Sequence, residues 1–109
     1  MQSVIVLCAF HFIGVPFASV ELAVEGSTPA DSAIVEHYGA RSTVAVAAQT
    51  PDEDDWIHVI LDADRPGNEL IMHVRRGDGP RREGRLINPT LPIGGEMSGD
   101  CEISPESIP

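Results

Sequence analysis

The stretch TPDEDDWIHVILDADRPG, Thr50 to Gly67, constrains the fold more than any other, because start, stop and periodicity signals coincide within it. Thr50 is a suitable N-cap, Pro51 suits the first helical position, and Glu53 completes a T-x-x-E capping box. Asp52, Glu53, Asp54 and Asp55 then fall at the positive end of a helix dipole. Trp56, Val59, Ile60 and Ala63 recur at helical spacing, so their side chains form an apolar stripe that requires an apolar support. Pro66 and Gly67 end the pattern. These signals predict a helix over about residues 51–64, lying on a sheet with Trp56 buried between them.

The remaining segments read as strands. Ser19 to Glu25 alternates, with Val20, Leu22 and Val24 on one face. Residues 33–38 and 43–48 suggest two further strands about Gly39; the alanines of the second also suit a helix, but its β-branched Thr43, Val44 and Val46 favour a strand. Residues 69–75 and 82–88 alternate on either side of GDGP, a hairpin turn by composition, and residues 99–104 close the chain before a tail, 105–109, expected to fray. No βαβ repeat is present. The expected architecture is mainly β with one α-helix, an antiparallel β-sandwich or open barrel forming a single domain over residues 1–109.

Two readings fit the opening run SVIVLCAFHFIGVPFASV. One is a buried strand bent at Gly14 and Pro16. The other is a signal segment, residues 1–19, that is cleaved; against it, no basic residue precedes the apolar run and Pro16 would occupy the −3 position. The run is too short and too broken to span a bilayer. Cys8 and Cys101 are too few for a disulfide framework and are expected to be free, mostly buried thiols, unless the first and last strands are neighbours.

Seventeen acidic residues against seven arginines give a formal net charge of −10, which argues against nucleic-acid binding and against an anionic membrane surface. No site motif survives inspection. Asp62-x-Asp64-x-Pro66 lacks a calcium loop's third ligand, and His73 stands where its bidentate Glu belongs. His11, His37, His58 and His73 lack zinc spacing, and no nucleophile elbow, phosphate loop or dinucleotide fingerprint occurs. Neither metal nor cofactor is expected. A hydrolase would need a cleft gathering some of His37, His58 and His73 with carboxylates. Arg76-Gly77-Asp78 is a chance tripeptide at a hairpin tip, and Asn88-Pro89-Thr90 is excluded as a glycosylation acceptor by its proline.

The charged residues suggest an interface instead. Asp52, Glu53, Asp54 and Asp55 crowd one element end, while Arg75, Arg76, Arg81, Arg82 and Arg85 crowd the hairpin. If one subunit's basic hairpin meets the next one's acidic end, the contact is head-to-tail and builds rings.

Residues 50–104 resemble the second half of phage tail-tube subunits in element order, through Asp55-Trp56, Glu83-Gly84-Arg85-Leu86-Ile87 and Gly99-Asp100-Cys101-Glu102-Ile103. The resemblance implies a small β-sandwich flanked by a helix, stacked as rings in a virion or in an assembly intermediate in host cytoplasm. The expectation is therefore a non-enzymatic, self-assembling structural protein. The alternative is a small secreted β-domain with an unknown partner.

Overall fold

Apolar and polar side chains alternate through most of the chain, and the computed structural model, which describes residues 3–37, 39–88 and 95–105, is all β with no helix among them. The strands are β1 (Ser3–Phe12), β2 (Val15–Glu25), β3 (Thr28–Pro29), β4 (Ser32–His37), β5 (Ala40–Gln49), β6 (Asp55–Leu61), β7 (Leu70–Arg75), β8 (Arg81–Ile87) and β9 (Glu96–Pro105). All pairings are antiparallel, in the order β1-β9-β8-β7-β6-β5-β4-β2, and β1 also pairs with β2. Eight strands thus close a barrel. The two-residue β3 caps one end of β2. Closure leaves no open edge among these eight strands, which removes the usual template for edge-to-edge association.

This corrects the expected sandwich or open barrel, the helix at 51–64 and the helix-flanked sandwich implied by the tail-tube resemblance. The competing signals explain the difference. Ile57, Val59 and Leu61 are buried while Trp56, His58 and Ile60 are half-buried, so the segment is two-sided, and its β-branched and aromatic residues suit a pleated surface. Residues that cap a helix also initiate a turn. The Asp55 N–H donates to the Asp52 carbonyl at 3.0 Å, and Arg65 and Asn68 donate to Asp62 and Arg65 at 3.1 and 3.0 Å. The Thr50–Asp54 run is therefore a connection between strands, and Asp62–Glu69 is a loop. Trp56 is half-buried at the edge of the core, under the Arg82 guanidinium 5.4 Å from its ring centroid.

The opening run forms two strands rather than one bent strand, reversing at Ile13-Gly14. Val6, Cys8 and Phe10 of β1 face inward with Ala18, Val20, Leu22 and Val24 of β2. An eight-stranded barrel is just wide enough for side chains to fill. Ile57, Val59, Leu61, Met72, Val74, Leu86 and Met97 complete the filling.

Cys8 lies opposite Cys101 in the β1–β9 register, and the two form a buried disulfide, so the expectation of free thiols is also corrected. The condition for pairing, neighbouring first and last strands, is met by closure. Beside the disulfide, Gly84 and Gly99 face each other across β8 and β9 and leave room for the Phe10 ring. Of the tail expected to fray, Pro105 ends β9 and residues 106–109 lie outside the described residues.

Candidate functional site

The two charge clusters come together within one chain. Because β6 and β7 are antiparallel neighbours, Asp55 lies opposite Arg75, and Arg75 reaches Asp54 at 3.8 Å and Asp55 at 4.0 Å. The Arg76 N–H donates to the Asp54 carbonyl at 3.0 Å. Arg82 donates to the Gly79 carbonyl at 2.8 Å, and Arg85 pairs with Glu96 at 2.9 Å. Asp52, Glu53, Arg76 and Arg81 are exposed. Part of the charge expected to face a neighbouring subunit is thus satisfied in cis, where exposed pairs contribute at most about 1 kcal/mol each.

Within this region one arrangement has chemical content. A register irregularity between Asp55 and Ile57 accompanies the burial of the Asp55 side chain, one oxygen of which lies 3.1 Å from His73 Nδ1. His58 is directly opposite His73, and their rings stack with centroids 4.1 Å apart. With the proton on Nδ1, the N–H donates a hydrogen bond to the Asp55 carboxylate, which orients the ring and leaves Nε2 as the acceptor nitrogen. The adjoining recess, about 150 Å³, is lined by Asp52, Asp54, Asp55, His73, Arg75, Glu83, Gly84 and Arg85. None of these offers a hydroxyl or thiol nucleophile. Two of the three histidines named for a hydrolase are gathered with a carboxylate here, whereas His37 is elsewhere, its ring 4.4 Å from that of Phe17.

That second location is the barrel mouth. The turns β1–β2 and β4–β5 and the loop β6–β7 share one end of the barrel by topology, and a cavity of about 260 Å³ opens there. Its walls are apolar: Ala18, Val35, Val44, Leu61 and Leu70. Its polar groups, at the rim and among the loops, are His37, Ser42, Asp62, Asn68 and Asn88. The space arises from β5. Pairing with Ala33, Val35, Val59 and Leu61 sets Val44, Ser42, Ala48 and Val46 of β5 on the inner face, yet Val44 and Val46 are only half-buried and Ser42 and Ala48 are exposed, so this sector of the barrel is incompletely filled. The run of small residues in Ser42–Ala48 was the available signal. Without a register, however, small residues facing a cavity cannot be told from small residues facing solvent.

No protein-family model matches the chain, and neither a curated protein nor a solved structure matches it.

Proposed function

We propose that the chain is a non-enzymatic binding module whose barrel mouth holds one small, mainly apolar molecule with a hydrogen-bonding head. The apolar-walled cavity between β2, β4, β5 and β6 carries this reading. Ligand sites are concave and mostly apolar, with few polar groups to fix orientation, and barrel mouths are a recurrent place for them. At about 260 Å³ the space falls below the range for drug-sized molecules, so the ligand is of single- or fused-ring size.

The disulfide supports action in an oxidising compartment. In that setting β1 is retained, since cleavage after residue 19 would remove the strand between β2 and β9 together with Cys8. Secretion by removal of residues 1–19 is therefore not part of this reading.

Calorimetric titration with indole and 1-naphthylamine tests the proposal. One saturable site per chain is expected, and Val44→Phe, which places a ring in the mouth, should weaken binding at least tenfold while leaving the melting temperature within a few degrees. Absence of saturable binding to either compound, or Val44→Phe binding like the wild type, would count against the mouth.

A further inference from the structure

The β1–β2 hairpin reverses through two residues with positive φ, Ile13 at 51° and Gly14 at 75°. Positive φ at both central positions is the requirement of a type I′ turn, for which Asn-Gly is the favoured pair. A β-branched residue there is a conformational outlier, because its Cβ crowds the backbone in the left-handed region. No described residue compensates by burying it. Ile13 is 87% exposed and Val15 61% exposed, and together with Leu7 they are the most exposed large apolar residues described. From Phe12 to Val20 there is no charged residue. The tip is thus an uncharged apolar knob, retained in a conformation that a polar residue would adopt at lower cost, and strain of this kind points to a role outside the fold.

The same end of the barrel carries the complementary shape. The mouth opens at the same end, and its lining reaches Phe17, two residues beyond Val15, without including the tip itself. A knob and an apolar hollow on one end of one chain are what a two-fold contact between identical copies requires, each supplying both halves. The tip brings no charge of its own into the hollow, whose lining includes one carboxylate, Asp62. An anionic lipid surface is a poor alternative for a chain with a net charge of −10.

We infer that two copies pair mouth to mouth, each placing its Ile13 tip in the mouth of the other. The inference rests on the mouth being an accessible apolar hollow, as the proposed function does, but not on the existence of a small ligand. It also leaves the Asp52–Asp55 and Arg75–Arg85 clusters outside the contact.

Ile13→Asn separates assembly from folding, because it improves the turn while removing the knob. Its melting temperature should rise by about 4–8 °C, the shift that about 1 kcal/mol produces in a domain near this size. Sedimentation velocity from micromolar to millimolar protein should show a wild-type monomer–dimer equilibrium, weakened at least tenfold in Ile13→Asn and likewise in Val44→Phe. Indole binding by Ile13→Asn should be undiminished, so a failure of pairing and a failure of the mouth as a ligand site are read separately. A wild type that stays monomeric throughout, or an Ile13→Asn variant that pairs like it, overturns the inference. So does a monomeric wild type that floats with phosphatidylcholine vesicles while Ile13→Asn does not, an outcome that assigns the tip to a lipid surface.

Discussion

Replacing both Cys8 and Cys101 by alanine should lower the unfolding free energy by about 4 kcal/mol, a large fraction of the 5–15 kcal/mol typical of a domain. The expectation follows from topology. The disulfide joins residues 93 apart in sequence, so in the unfolded chain it closes a loop of nearly the whole domain, and the entropy removed grows with loop length. It also clamps the pairing that converts a meander into a barrel, since β1 meets both β2 and β9. Equilibrium urea unfolding of the double variant and the oxidised wild type gives the difference directly. A loss below about 1 kcal/mol would mean that strand pairing alone holds the seam and that the crosslink is incidental.

Phe10→Ala should cost about 3–5 kcal/mol, as truncation of a buried ring does, and Gly99→Ala should be destabilising by about 1–3 kcal/mol although it adds only a methyl group. Both effects have one source. The Phe10 ring lies over the Gly84–Gly99 pair, and a Cβ on Gly99 would collide with the Ala9 carbonyl oxygen and meet the ring at 2.5 Å. Because one of the opposing atoms belongs to the backbone of β1, no rotamer change relieves the contact. At Gly84 the added carbon would stand 2.5 Å from the Cys101 sulfur. Glycine in a strand interior weakens pairing in general, and here it admits the close approach of an aromatic ring and a neighbouring strand. Thermal melts of the two variants measure the losses; a Gly99→Ala protein as stable as the wild type would contradict the packing described.

The elements that were legible in the sequence are those whose signals are local and agree. Val20, Leu22 and Val24 alternate with polar or small residues and are buried on one face of β2. The alternation on either side of GDGP became β7 and β8, joined by a hairpin as expected. The error at Thr50–Gly67 arose where local signals agree with two structures: capping residues also make turns, and WIHVIL satisfies a helical period and a strand period at once. Tertiary pairing with β5 and β7 decides between them. Closure itself has no local signature. Cys8 and Cys101 become partners only when the register of β1 on β9 is known, and the mouth's lining depends on the register of β5 on β4 and β6, which sets Ser42 and Val44 on the inner face. The charged residues were legible as clusters but not as neighbours, since Asp55 meets Arg75 through the β6–β7 register and His73 joins them from the same strand pair. Ile13 was visible, but its positive φ was not.

Closure by β1 is the claim on which the cavity, the disulfide and the clustered mouth residues all depend. Backbone nuclear Overhauser effects from β1 in the isotope-labelled protein test it most directly. The structure predicts two sets of contacts from one strand, with Cys8 opposite Val20 on β2 and opposite Cys101 on β9, together with slow amide exchange on both sides of β1 and extended backbone shifts over residues 55–61. Contacts from β1 to β2 alone, with rapidly exchanging amides along β9, or a continuous helical pattern over residues 51–64, would contradict it.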